Sequence, residues 1–483
     1  MNSVRTILAQ IFLGLLITLF STTNHALERA NLGPGGVEAN DEALHVDISA
    51  DGRFIVFDSS ATNLLPEDSD TNDDVYLLDR QTGELELISV NSDEMKGNGT
   101  SDRPAVSDDG NYVVFASGST NLVAGRTSGI YLRNRLAGTT EFISVTTTGG
   151  QASSATDTAI SGNGMFVAFR SFSSNLVDGD TNGKTDIFLR DVMAGTTERI
   201  SISHAELESD DHSYDPCVSY DGSYVAFESE ATNLVDDDFN GDRDVFVRDR
   251  ILNDTIRVSV GGVNTEGNND STTPTISSDG KLVAFNSYAD NLIGAADTNV
   301  RGDIFVRDIN AMTTERVSVP TGGGEANGSC YSPSMSPSGK YVAFFSDSSN
   351  LVNGFSLGEI YVHNRVTNET TIVSEKFGGG ETTSIYEPEE PVVGNDGTVA
   401  FSSEADDLVE TDTNMVYDVF YDPGSFGMGV PYDQGAVIQL SRKIKKLKKR
   451  IKQAKRKKKS ARAKRLNKKV RKLKRRVRRI IIA

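Results

Sequence analysis

Five stretches of the chain alternate oxygen-bearing side chains at a spacing a hard cation can use. They are Asp68-x-Asp70-x-Asn72-x-Asp74, Asp180-x-Asn182-x-x-x-Asp186, Asp238-x-Asn240-x-Asp242-x-Asp244, Asp297-x-Asn299-x-x-x-Asp303 and Asp412-x-Asn414-x-x-x-Asp418. Carboxylate and amide oxygens on alternate residues of a tight loop suit calcium, and the spacing matches the first half of an EF-type loop. The later bidentate Glu and the fixed Gly of such a loop are missing. The same residues also suit a structural role, because Asp and Asn make side-chain turns and the last Asp of each stretch can open a strand. Both readings, calcium site and plain turn, stand open on sequence alone.

A second chemistry lies at the C-terminus, where the final 50 residues hold 25 of the 49 Lys and Arg and no Asp or Glu. The rest of the chain carries 24 basic residues against 68 acidic ones, a net of −44, so the overall −19 describes neither part. Lys445, Lys446, Lys448, Lys449, Arg450, Lys457, Lys458, Lys459, Lys468, Lys469, Arg475 and Arg476 mark the densest basic positions. With no aromatic residue among them, they cannot stack on bases, so sequence-specific nucleic-acid recognition is not expected. Anions are bound by charge alone: nucleic-acid backbone, lipopolysaccharide, anionic lipid or acidic polysaccharide. The alternative partner is the acidic propeller of its own or of a neighbouring molecule. Ile444, Leu447, Ile451 and Ala454, then Leu466, Val470, Leu473, Val477 and Ile480, keep 3-4 spacing, which predicts two amphipathic helices over 437–483.

Catalytic constellations are scarce. His45, His204, His212 and His363 share no spacing that suggests a metal cluster or a Ser-His-Asp set. Ser278-x-x-Lys281 straddles a strand turn, and Gly149-Gly150, Gly261-Gly262, Gly322 to Gly324 and Gly378 to Gly380 precede no helix, so they read as turns rather than phosphate cradles.

The elements that position these residues repeat seven times. The turn dipeptides Asp51-Gly52, Asp109-Gly110, Asn163-Gly164, Asp221-Gly222, Asp279-Gly280, Ser338-Gly339 and Asp396-Gly397 are spaced 58, 54, 58, 58, 59 and 58 residues apart. Each repeat shows four short runs rich in β-branched and aromatic residues, such as Tyr224 to Ser229 and Val245 to Asp249. Four-stranded units at this period predict an all-β, seven-bladed β-propeller of four-stranded blades, a fold that removes exposed sheet edges by closing its ring. Phe115, Phe169, Phe227, Phe285, Phe344 and Phe401 recur as blade core. The seventh repeat stops at Asp422 without a fourth strand, while Leu27 to Leu32 resembles Thr314 to Val319. The N-terminal strand is therefore expected to pair with Val419 to Asp422 and close the ring.

The Ser-x-Asp-Gly-x-x-Val-Ala-Phe core resembles the TolB-like propeller repeat over about 27–422. That resemblance implies the fold; TolB-like blades serve in periplasmic scaffolds, peptidase-associated domains and some polysaccharide lyases, and the His-rich metal site of the lyases has no counterpart here. No α/β domain precedes the blades, so TolB's own role is not carried over. Arg5, the apolar run Ile7 to Phe20 and Ala26 read as a signal peptide (1–26), with export to the periplasm or beyond and no transmembrane helix after cleavage. Cys217 and Cys330 fall in non-adjacent repeats and are expected as free thiols. The domains are then the signal peptide, the propeller (27–422), a Gly- and Pro-rich linker (423–436) and the polybasic helical tail (437–483). The function expected is a non-catalytic binding or scaffold propeller, with protein or glycan on its face and an anionic polymer or envelope surface on its tail. The alternative is a lyase or hydrolase acting on an extracellular polysaccharide through the propeller face.

Overall fold

The computed structural model describes residues 26–423 apart from 153, 263, 295–296, 356–357 and 383–389. The expected signal peptide before Ala26, the linker beyond Pro423 and the tail, with every basic position from Lys445 to Arg476, lie outside the described residues. Among those residues every helix or strand is a β-strand, arranged in seven four-stranded antiparallel sheets and one two-stranded hairpin. Blade one runs from its inner strand outward as Ala43–Ile48, Phe54–Ser59, Asp74–Asp79 and Glu84–Leu87. The same order recurs in blades two to six, over 101–142, 155–199, 213–257, 271–316 and 330–372.

Blade seven combines Val392–Val393, Val399–Ser403 and Asp418–Tyr421 with Glu28–Arg29 from the other end of the chain. Glu28 lies opposite Tyr421 and Arg29 opposite Phe420, a shorter pairing than the sequence suggests. Beyond it the Ala30 N–H still donates to the Val419 carbonyl at 2.7 Å. The chain then turns away into the hairpin of Leu32–Gly33 and Val37–Glu38.

The repeated Ser-x-Asp-Gly has a local cause. The Ser49 hydroxyl donates to Asp51 Oδ1 at 2.8 Å and accepts the Phe54 N–H at 2.9 Å, so one side chain ties both arms of the turn. Ser107, Ser161 and Ser277 repeat the arrangement with Asp109, Asn163 and Asp279. Gly52 holds φ +72, and a Cβ there would also meet the Asp396 carboxylate at 2.7 Å, so both conformation and space call for glycine. Second and third strands carry the core, with stacked pairs such as Phe57–Tyr76, Phe227–Phe246 and Phe285–Phe305 at 5.8, 5.9 and 6.1 Å. The clusters bridge neighbouring blades: Val56, Val75 and Leu77 of blade one pack with Val113 and Phe115 of blade two. Cys217 and Cys330 are both free.

Strand direction sorts the loops onto two faces. The Asp-Gly turns lie on one face, where main-chain bonds such as Asn163 N to Tyr220 O (3.0 Å), Tyr220 N to Ser278 O (2.9 Å) and Ser278 N to Pro337 O (2.7 Å) form a collar around the axis. Under it the inner strands of all seven blades line a cavity of about 200 Å3. The acidic loops and the blade-to-blade connections share the opposite face.

Candidate functional site on the acidic-loop face

The acidic loops surround side-chain cations. In blade four Arg257 lies 3.1 Å from Asp244, 3.6 Å from Asp238 and 2.7 Å from Glu266. Arg316 takes the same place in blade five, 3.1 Å from Asp303, 3.7 Å from Asp297 and 3.2 Å from Glu325. Arg199 in blade three reaches Asp180 and Asp186 at 3.4 and 3.6 Å and Glu208 at 2.5 Å. In blade seven Arg29 meets Asp412, Asp418 and Glu38 at 2.7, 3.3 and 3.2 Å. These four blades share one device, an outer-strand Arg followed nine residues later by a Glu.

Blade one reverses it. Leu87 replaces the Arg, and Lys96, at the Glu position, lies 3.4, 2.9 and 2.6 Å from Asp68, Asp70 and Asp74. Blade two has lost both signs together: Gly129 stands for the last Asp, Phe142 for the Arg and Gln151 for the Glu. A Cβ on Gly129 would lie 2.4 Å from Ser144 Oγ and 2.9 Å from the Phe142 ring, so the aromatic side chain fills the space the ion pair takes elsewhere. Blade six keeps Glu359 but has Ile372 for the Arg.

The asparagines stitch loop to loop. The side-chain amides of Asn182, Asn240, Asn299 and Asn414 donate to the carbonyls of Ser209, Gly267, Ala326 and Ala39 at 3.1, 2.7, 2.6 and 3.0 Å. Asn72 donates instead to Asp70, and the Asn240 side-chain oxygen accepts the Asp242 N–H at 2.9 Å. Ser89, Ser201 and Ser259 donate to Asp74, Asp186 and Asp244 at 2.5 Å each. Burial pushes Asp74 and Asp244 up to about 7, against the pull of those hydroxyls and of Lys96 and Arg257.

Three of the carboxylate groups, Asp68-Asp70-Asp74, Asp238-Asp244-Glu266 and Asp297-Asp303-Glu325, have oxygens within 4.8 Å of one another and could hold a metal ion. Asp68 Oδ1, Asp238 Oδ1 and Asp297 Oδ1 are buried without a hydrogen-bond partner. An ammonium or guanidinium already sits at ion-pair distance in each group, so a bare divalent ion would have to displace it. The donor set thus fits a side-chain cation at least as well as calcium.

A second set of residues, not singled out by the sequence, lines the same face at the start of the inner strands. Six inner strands carry a bulge there, with a non-glycine residue in the left-handed region: His45, Arg103, Asp157, Asp215, Thr273 and Ser332, at φ 28, 49, 46, 46, 50 and 48. Such strain is costly and collects at functional positions. Five residue types occupy these six positions, Asp recurring in blades three and four, although the backbone repeats. His45 Nδ1 lies 2.8 Å from Asp58 Oδ2, which also accepts the Arg103 N–H of the next blade at 3.2 Å. Arg170 pairs with Asp157 at 2.8 Å, and Arg170 and Arg243 lie 5.3 and 4.9 Å from the Tyr214 ring. Arg243 reaches Glu228 and Glu230 at 2.8 and 2.7 Å, and Glu228 accepts the Thr273 N–H of blade five at 2.7 Å. Burial, reinforced by the Asp215 charge, pushes Glu228 up to about 7. Further round, Tyr331 stacks on Phe345 at 6.3 Å, and Tyr288 is 38% exposed, its hydroxyl pKa raised by burial and by Tyr331. The rim therefore has a charged sector over blades one to four and an aromatic one over blades five and six. One signal could have exposed it in the sequence: these are repeat positions whose residue type changes round the ring, from His and Arg through two Asp to Thr and Ser.

No family model and no curated protein matches the chain. Among solved structures, an oligogalacturonate lyase in complex with manganese is similar at a TM-score of 0.50 and 14% identity, over 83% of this chain and 93% of that one. The β-propeller is the shared fold. TolB from Acinetobacter baumannii matches at a TM-score of 0.37 and 17% identity, over 64% of this chain and 61% of its own, so the chain spans less than two thirds of that protein. The β-propeller domain of the trilobed protease from Pyrococcus furiosus matches at 0.49 and 10%, over 79% and 93%. At these identities the likeness is one of fold alone and assigns no activity.

Proposed function

We propose that this chain is an exported binding propeller that takes a protein or glycan ligand at the inner-strand rim of the acidic-loop face. Its polybasic tail tethers it to an anionic polymer or envelope surface, and the N-terminal strand is the clasp that closes the ring. Among the described residues no helix is long and apolar enough to cross a membrane. One observation carries the reading: His45, Arg103, Asp157, Asp215, Thr273 and Ser332 share a strained backbone, while their side chains run from basic through acidic to hydroxyl round the rim. Repeat positions that all blades keep are accounted for by the fold, whereas positions that differ on one rim are free to read a ligand. Calcium, in this reading, competes with the internal Lys and Arg of the acidic loops.

The enzyme reading draws on a narrower observation. The His45 imidazole is oriented by the buried Asp58, the arrangement a general base requires. Acting on an extracellular polysaccharide, it would leave shortened chains in solution. A screen of glycans and polyanions with the full chain, and with a chain ending at 436, separates the two. The expected outcome is one ligand bound with or without the tail, weakened at least about tenfold by Arg103→Ala, an order typical of losing one charged contact. A ligand indifferent to Arg103→Ala removes the rim from the account, and turnover of an acidic polysaccharide replaces binding with catalysis.

A further inference from the structure

The cavity beneath the Asp-Gly collar carries charge of one sign only. One register position of each inner strand lines it, held by Asp47 in blade one and by Ala105, Ala159, Cys217, Thr275, Ser334 and Val392 in the others. Crowding at the axis suits small, uncharged side chains, and six blades supply them. Asp47 is the exception. At the collar Asp108 of blade two lines the same cavity, and among the described residues no Lys, Arg or His does so. Asp47 Oδ1 accepts the Ile48 N–H and Oδ2 the Val106 N–H of blade two, each at 2.7 Å. The Asp108 carboxylate takes no hydrogen bond or ion pair among the described residues. Burial pushes Asp47 up to about 7 and Asp108 up to about 6; the charge of Asp108 raises Asp47 further, and those of Asp109 and Asp51 raise Asp108.

The walls narrow the choice of occupant. A Cβ on Gly162 would lie 2.6 Å from the Asp108 carboxylate and 2.6 Å from the Tyr220 ring, so those two side chains converge over a residue with no side chain of its own. Gly162 is not left-handed, so glycine serves space there and not conformation. A carboxylate and an aromatic ring side by side both attract a cation. Tyr220 is 47% exposed, which opens the cavity to the collar face. Val106, Ile160, Val218 and Ile276 add an aliphatic wall. A bare metal ion gains nothing from that wall, whereas an alkyl chain loses its contact with water against it. The volume of about 200 Å3 falls under the range of about 300–1,000 Å3 that drug-sized ligands occupy, so the occupant is small.

We propose that this axial cavity binds a primary alkylammonium group, its nitrogen at Asp47 and Asp108 and its carbon chain against Val106, Ile160 and Ile276. The ammonium brings three N–H donors and no acceptor, which matches a site whose charged groups are acceptors only. Asp108 has its full accepting capacity open, and Asp47 keeps the lone pairs that Ile48 and Val106 leave. Two sources carry this chemistry, a free small amine and the lysine side chain of a partner protein. The site lies on the face opposite the rim, so it stands whether or not the rim takes a ligand.

Titrating the full chain with butylamine tests this, at a pH above the values of both carboxylates. The readout is the methyl resonance of Met335, which lines the cavity, is 5% exposed and is assigned with Met335→Leu. Amine held only by the acidic exterior leaves that methyl unmoved. A saturable shift is expected, its affinity weakened at least about tenfold by Asp108→Asn, an order typical of losing one charged partner. Asp236→Asn, at a carboxylate 91% exposed, should leave it unchanged. Butan-1-ol, with the same chain and no charge, should give no saturable shift; this arm uses the wild-type protein and does not depend on a variant folding. A Gly-Lys-Gly peptide with blocked ends distinguishes the sources. If it moves Met335 at lower concentration than butylamine, the occupant is a partner's lysine, and if only butylamine does so, it is a free amine. An equal response to butan-1-ol, a shift that Asp108→Asn leaves intact, a shift given by calcium but not by butylamine, or no saturable shift overturns the proposal.

Discussion

Arg316 illustrates how one side chain decides the chemistry of its loop. It lies among Asp297, Asp303 and Glu325 with only 7% of its side chain exposed. Removing the cation leaves buried carboxylates facing each other, and breaking a buried pair from one side costs about 3–5 kcal/mol. Arg316→Met should therefore lower the melting temperature clearly. Blade one points to the repair: with Leu87 and Lys96 it supplies the cation from the other position. The double variant Arg316→Leu with Glu325→Lys should regain most of the loss. Calcium enters by the same logic. The wild-type chain is expected to melt alike in millimolar calcium and in chelator, whereas Arg316→Met should gain stability from calcium, since an ion bound only by the folded state stabilises it. Identical calcium responses of both proteins would mean that the guanidinium is not what occupies the site.

At the scale of elements, blade seven is joined by a strand only two residues long in its ladder, yet that strand carries the cation of its blade. Arg29 meets Asp412, Asp418 and Glu38, and the Asn31 amide donates to Asp418 at 2.5 Å while its carbonyl oxygen accepts the Val419 N–H at 3.1 Å. Arg29→Ala should cost about 3–5 kcal/mol by the same uncompensated charge, and a chain lacking residues 26–31 should lose more, because an open sheet edge is added. Denaturant melts would show it, and unchanged midpoints would sink the clasp. The blades themselves were legible because Ser-x-Asp-Gly, with its hydroxyl bridge, is a local device that recurs at fixed spacing. The acidic loops were legible in place but not in meaning. Arg199, Arg257 and Arg316 act from a strand that follows the loop, and only aligning the repeats shows that Gly129 and Phe142 lose acid and base together. The rim was hidden for the opposite reason: its six residues share a backbone bulge but span five residue types, so no motif marks them.

For the whole molecule the open term is the tail, whose 25 basic residues within 50 oppose the acidic body to which they are joined. Like charges at helical neighbours disfavour a helix, while the 3-4 spacing of Leu466, Val470, Leu473, Val477 and Ile480 favours one once the repulsion is removed. A polyanion removes it and releases counterions, so folding of the tail and binding should be one event. The peptide 437–483 is expected to lack helical circular dichroism at low salt and to gain it on adding heparin, DNA or anionic vesicles. Contacts to about 6–10 anionic groups would weaken binding about 10³–10⁵-fold between 50 and 200 mM salt. The full chain should bind the same polyanions less tightly than the peptide, because its acidic body competes for the tail, and the difference should shrink as salt rises. Full helicity of the peptide without any anion would instead mean that the apolar stripes pack on one another, making the tail an assembly element. Equal affinities of peptide and full chain at low salt would mean that the body does not hold the tail, and tethering would then be independent of the propeller face.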